Sequence, residues 1–181
     1  GQYVQEYKNG GKPAGKTKKI GTSKLHGTII TFQSDGSIFP DRELNWDTIV
    51  SHMRQQAYLV KGLRVSILDL RGSTSLTASN MDEDVFYVRE LGLDAPSVTF
   101  YFEGGLRSLV SFQNHHLEAV HKTVFYVEKE QDGIHVEVAL QYVDDITSRI
   151  SAFANNIYNA EGGTHITGFK TALTRTLNAK N

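Results

Sequence analysis

The chain has 181 residues, 39% of them hydrophobic and 22% charged, with a formal net charge of −1. Such a composition is ordinary for a soluble globular protein with one or two cores, and it excludes polyanion binding by bulk charge, so any nucleic-acid contact must come from local patches. No apolar run approaches the roughly 18 residues of a membrane span, no apolar signal core stands near the N-terminus, and the lack of cysteine excludes disulfides and thiolate metal sites, in keeping with a reducing cytoplasm.

Residues 1–45 are rich in Gly and Lys. Residues 2–7 and 25–33 read as strands joined by a long polar loop. Asn45 is a cap candidate for a helix that ends at Gly62, with Ile49, Met53, Ala57 and Val60 on one face. Residues 63–70 and 98–102 read as strands, and Gly104 and Gly105 turn the chain into a short helix over 106–114. Residues 123–129 and 134–142 flank a turn of hairpin composition, EQDG. There Ile134, Val136, Val138, Leu140 and Tyr142 alternate with more polar residues, so the apolar face is expected to be buried. Residues 148–154 add a strand. Gly162 and Gly163 then lead to an amphipathic helix with Thr164 as cap candidate. Ile166, Phe169, Leu173 and Leu177 form its apolar stripe. Thr167, Thr171, Thr174 and Asn178 form an uncharged polar stripe beside Arg175, which is either a contact surface or a polar packing seam. The order of elements predicts α+β with a mostly antiparallel sheet.

Residues 10–17 (GGKPAGKT) satisfy the phosphate-loop pattern letter for letter. That chemistry also needs a buried strand before the loop and a helix after it, and neither pattern flanks this segment. Lys8, Lys12, Lys16, Lys18, Lys19 and Lys24 against the single acid Glu6 make the region basic, either a phosphate-contacting loop or a solvated one. His115, His116 and His121 lack the acidic or thiolate company that a zinc site needs, so no metal ligand is expected. Asp144 and Asp145 read as turn residues, and no Ser-His-Asp arrangement stands out.

Several motifs keep one order along the chain: His26, Gly27 and Thr28 followed by Phe32 and Asp35; residues 54–62 (RQQAYLVKG); residues 102–106 (FEGGL); residues 133–141 (GIHVEVALQ); and EGGTH at 161–165 running into TRTLN at 174–178. Together they resemble the ATPase subunits of bacterial type II topoisomerases, gyrase B and its topoisomerase IV counterpart. The resemblance implies the last strands of a GHKL-type ATPase sheet in residues 1–45, a connecting helix in 46–62 and an incomplete transducer domain in 63–181. The transducer would be a ribosomal-protein-like α/β sandwich with helices on one face. Residues 72–97 would be an insertion with a short acidic helix near 80–88. The chain opens on Gly rather than Met, and the resemblance likewise implies a piece of a longer protein.

The resemblance further implies that Thr28 sits near the adenine of ATP, with Gly27 beside it and Ile30 lining the pocket. His26 stands where the family has a first threonine, and Ser34 where it has a proline. The family's catalytic glutamate, magnesium-binding asparagine, adenine-binding aspartate and ATP lid would precede Gly1. Its γ-phosphate lysine would follow Asn181. No catalytic residue is therefore expected in this chain, and ATP and Mg2+ would be bound by the full-length protein rather than by this fragment. Arg175 and Lys170 would face DNA. The implied partners are DNA, a gyrase A type protein and a second copy bound through the ATPase domain, with no membrane. Two readings from other classes stand beside this one: a stand-alone nucleic-acid-binding module resting on the lysines, and a phosphate-loop nucleotidase resting on residues 10–17.

Overall fold

A computed structural model describes residues 1–24, 26–72 and 95–179. It divides into two compact units, Gly1–Glu43 and Leu44–Asn181. Among the described residues every strand pairing is antiparallel, in five two-stranded ladders, and three helices accompany them. The fold is α+β. The short acidic helix expected near 80–88 lies outside the described residues.

In the first unit, β1 (Gln2–Val4) pairs with β4 (Lys18–Gly21), and β2 (Tyr7–Lys8) with β3 (Lys12–Pro13), one ladder nested inside the other. The polar loop expected after residue 7 is therefore a hairpin. Asn9, Gly10 and Gly11 turn it with φ of 48°, 75° and 91°, which Asn and Gly tolerate better than other residues. The Gln5 side chain fills the gap between the ladders. Its Nε2 donates to the Gly15 carbonyl at 2.9 Å, and its Oε1 accepts from Thr17 Oγ1 at 2.8 Å. Polar groups that look unpaired in sequence thus find partners across the hairpin.

Residues 26–33 are not a strand, contrary to their β-branched pattern. Among the described residues no strand edge pairs with them, and a strand without a neighbour has no ladder to satisfy its backbone. Ile30 and Phe32 are accordingly 81% and 80% exposed.

In the second unit, α1 (Trp46–Leu59) starts where expected, with the Asn45 side chain accepting from the Thr48 amide at 2.9 Å. A cap of this kind contributes about 1 kcal/mol. The helix packs against β5 (Arg64–Leu68) and β6 (Ser97–Tyr101). Ala57, Tyr58 and Phe100 are buried, but Val60 is exposed. The Tyr58 ring stacks on Phe102 at 3.7 Å between centroids, and Arg54 lies over the rings of Phe100 and Phe112. Gly105 makes the turn into α2 (Leu106–Asn114) at φ 52°, ψ −126°. A Cβ there would press on Lys61 Cβ at 3.4 Å, and the backbone angles alone already favour glycine.

The hairpin β7 (Phe125–Gln131) and β8 (Ile134–Leu140) is turned by Asp132 and Gly133, with φ of 53° and 75°. Positive φ at both positions gives the twist that a two-residue hairpin needs. Its faces are not divided as expected, since both are covered toward the end of β8 and open toward the turn. Residues Tyr126, Glu137 and Gln141 lie on the side of α2: Arg107 of α2 covers Tyr126, and Asn114 donates to Gln141. The apolar face carries exposed Ile134, Val136 and Val127. Alternation marks two faces of a strand but does not say which one finds a helix.

The strand expected over 148–154 is reduced to β9 (Phe153–Ala154), paired with β10 (Ile157–Tyr158) across Asn155 and Asn156, both at positive φ. Those asparagines set the hairpin, and residues 148–152 before it form no ladder. The last helix, α3 (Thr164–Asn178), has Gly163 as its N-cap rather than Thr164. The Gly163 carbonyl accepts from the Ile166 and Thr167 amides. A Cβ on Gly163 would stand 2.9 Å from the His165 ring, so glycine fits the cap and the threonine is displaced into the first turn.

Candidate functional site

Residues 10–17 do not form a phosphate loop. β3 and a bend follow the glycines, and residue 18 opens a strand instead of a helix, so no helical N-terminus faces a phosphate. The hairpin instead places lysines on its exposed ladders. Lys8 pairs directly across from Lys12, an arrangement that repels when nothing neutralises it. Gly27, Thr28 and Ile30 lie together on the extended, exposed segment 26–33. This segment exposes a hydroxyl and an aliphatic side chain. Asp35 follows in a tight turn, where its Oδ1 accepts from the Ser37 amide and hydroxyl and those bonds hold its carboxyl below the usual range.

His115, His116 and His121 of the second unit do not converge on one point. His121 Nδ1 donates to the Thr123 carbonyl at 2.7 Å, and its Nε2 accepts from the Tyr142 amide at 3.0 Å. Both nitrogens are thereby committed, and the ring pins the loop before β7 to the end of β8. His115 Nδ1 bonds the Phe112 carbonyl, and its ring lies against that of His116. Among the described residues no group of three or more His, Asp or Glu side chains is arranged to hold a metal ion.

A charged network covers the α2 side of the hairpin, and the sequence reading missed it. The Tyr126 hydroxyl lies 2.7 Å from Glu137 Oε1 and 2.8 Å from Glu128 Oε2, sharing one proton between two carboxylates. His135 Nε2 bonds Glu128 Oε1 at 2.9 Å. Burial, then the bonds to Glu137 and Glu128, push the Tyr126 hydroxyl well above its ordinary range, so it stays protonated. The bond from His135, then that from Tyr126, hold the Glu128 carboxyl below its ordinary range. This arrangement braces the hairpin; a phenol so held is a poor acid or nucleophile. The signal in sequence was the period-two spacing of Tyr126 with Glu128 and of His135 with Glu137, which places all four on one face.

Lys170 and Arg175 are both exposed on α3, as are the threonines. The hydroxyls of Thr167, Thr171, Thr174 and Thr176 each donate to the carbonyl four residues earlier, at 3.4, 2.9, 2.9 and 2.8 Å. The hydroxyls of the three stripe threonines, Thr167, Thr171 and Thr174, are thus satisfied within the helix. No described helix is long and apolar enough to cross a membrane.

Comparison with known proteins gives these features a context. Residues 105–180 match the family described as DNA gyrase B. The DNA gyrase B of Clostridium acetobutylicum is 41% identical over 169 residues, and that of Halalkalibacterium halodurans 40% identical over 169 residues; in each case the match covers 93% of this chain and 23% of the relative. The chain thus spans about a quarter of the length of these curated relatives. The fold is shared with the 43K ATPase domain of Thermus thermophilus gyrase B, solved in complex with an aminocoumarin: TM-score 0.71 at 23% identity, over 93% of this chain and 41% of that one. Identity of 40% or more along 93% of its length places the chain, for the segment it spans, in the DNA gyrase B family.

Proposed function

We propose that this chain is a working segment of the ATP-hydrolysing subunit of a DNA gyrase, a type II topoisomerase, in which ATP binding and hydrolysis are coupled to DNA strand passage and supercoiling. The observation that carries this reading is identity of 40% or more to gyrase B proteins across 93% of the chain. In this reading residues 1–45 end the ATPase domain, residues 46–62 connect, and residues 63–181 belong to the transducer, with an insertion about 72–97. Gly27, Thr28 and Ile30 form one wall of the ATP site: the Thr28 hydroxyl bonds near the base and Ile30 presses on it. The remaining walls and the Mg2+ ligands come from elsewhere in the full-length protein. Arg175 and Lys170 contact DNA. The full-length protein acts in the cytoplasm, with a gyrase A partner and a second copy of itself.

Coupling of this kind requires that ATP bind two conformations differently. The Thr28 and Arg175 roles separate experimentally in a full-length gyrase B containing this segment, assembled with its gyrase A partner. Thr28→Val is expected to raise the ATP concentration needed for supercoiling. Arg175→Glu is expected to slow supercoiling about tenfold at saturating ATP, the equivalent of about 1.4 kcal/mol. Supercoiling unchanged in both variants overturns the reading.

A second reading, a nucleic-acid-binding module without ATPase activity, is favoured by the Lys8 and Lys12 pair, whose repulsion a bound phosphate would relieve. Salt-dependent DNA affinity that vanishes when the hairpin lysines become glutamine, with no ATP dependence in the full-length protein, would favour it.

A further inference from the structure

A cleft of about 530 Å³ opens in the second unit between α2 and the start of β7. Arg107 and Ser111 reach it from α2, and Lys122, Thr123 and Tyr126 from the loop and strand. Arg107 and Ser111 are four residues apart, so they share one helix face. The lining holds two cations, no carboxylate and three hydroxyls, of which that of Tyr126 is committed to Glu128 and Glu137. Neither cation has an ion-pair partner among the described residues.

The donors are held in place. The Arg107 guanidinium lies over the Tyr126 ring, its Cζ 4.4 Å from the centroid. A guanidinium stacked this way keeps its fork of N–H groups free for an oxyanion. The ring beneath is fixed in turn by the hydroxyl bonds to Glu128 and Glu137. Thr123 is anchored through its carbonyl by His121. Two like charges on one cleft are costly until an anion bridges them, and a phosphate group matches both the charge and the hydroxyl donors.

We propose that this cleft is a phosphate-binding site, with Arg107 and Lys122 supplying charge and Ser111 and Thr123 supplying hydroxyl donors. The phosphate is either that of a nucleic-acid backbone or a free one. This inference stands apart from the ATP and Arg175 assignments above; its failure leaves both intact.

The test uses the 181-residue chain and two probes: a fluorescein-labelled DNA duplex followed by anisotropy across a salt series, and inorganic pyrophosphate followed by calorimetry. The double variant Arg107→Gln, Lys122→Gln is expected to weaken duplex binding about tenfold or more and to flatten the slope of log affinity against log salt by about 1–2. Lys122→Gln alone leaves the Arg107 and Tyr126 stack in place and is expected to give about half the slope change, which covers the case in which the double variant fails to fold. Pyrophosphate binding that the variants abolish, without duplex binding, assigns the site to free phosphate and upholds it. Three results overturn it: neither probe binds the parent chain, neither probe distinguishes parent from variants, or duplex affinity is lost only in a Lys18→Gln, Lys19→Gln control.

Discussion

In Gly1–Glu43 no described residue is buried, whereas all four buried hydrophobic residues of the described chain lie in Leu44–Asn181. The first unit is ordered by hydrogen bonds of short reach: the Gln5 side chain across the hairpin, the Asp35 turn, and two ladders of a few residues. The second is ordered by an aromatic stack that joins α1, β6 and α2 through Tyr58, Phe102 and Phe112. Net hydrogen bonds at exposed positions are worth little each, while a buried ring contributes several kcal/mol. The two units should therefore lose their order separately and for different reasons.

Tyr58→Ala gives the largest expected effect. Removing the ring from beneath Phe102 should cost Leu44–Asn181 about 3–5 kcal/mol, read by denaturant unfolding. Amide exchange in the β1–β4 ladder should not change. If protection falls equally in both units, their independence is broken as an idea.

Acid sharpens the contrast next. Arg71 Nε and Nη2 both bond the Asp69 carboxylate, and its Nη1 donates to the Leu44 carbonyl before α1. The side-chain bond from Arg71, followed by the bond from the Arg71 amide, lowers the Asp69 pKa from 3.8 to about 2. A carboxyl depressed on folding stabilises fully above its unfolded value, and that stabilisation is lost as pH falls through the folded one. The melting temperature of Leu44–Asn181 should thus drop between pH 3.8 and about 2, and Asp69→Asn should remove part of that dependence. An unaltered acid profile in Asp69→Asn would show that the clamp contributes nothing.

The smallest effect belongs to the first unit. Lys12→Glu turns the Lys8 and Lys12 cross-strand pair into opposite charges and should stabilise the β2–β3 ladder by about 0.2–1 kcal/mol. Slower amide exchange at Tyr7 and Lys8 at low salt is the readout, and acceleration would reverse the reading of that pair.

Legibility in the sequence follows the same division. Helix α1 was readable because the Asn45 cap is a local signal, and α2 because Gly105 must occupy a positive φ; the β7–β8 turn was readable because Asp132 and Gly133 suit a two-residue loop. Failures came where the outcome depends on a distant partner. Residues 26–33 have β-forming composition, but a strand exists only where another edge meets it; residues 148–152 carry one β-branched residue, Ile150, and form no ladder. The Lys-rich stretch gave no apolar signal for β4, whose order depends on pairing with β1. The faces of β8 were distinguished correctly by alternation, but burial of the apolar one is limited to Val138 and Leu140, while α2 covers the other face, where Arg107 lies over Tyr126. For the candidate sites, the motifs identified Thr28 and Arg175 as positions of interest. The Arg107 and Lys122 cleft was not legible, since fifteen residues of chain separate its two cations.

The back-bonded threonines of α3 have a consequence for anything that lies along that helix. With each hydroxyl proton turned toward the preceding turn, the side that faces outward is the methyl group. What approaches that helix therefore meets two exposed cations, Lys170 and Arg175, beside threonine hydroxyls already committed to the helix itself.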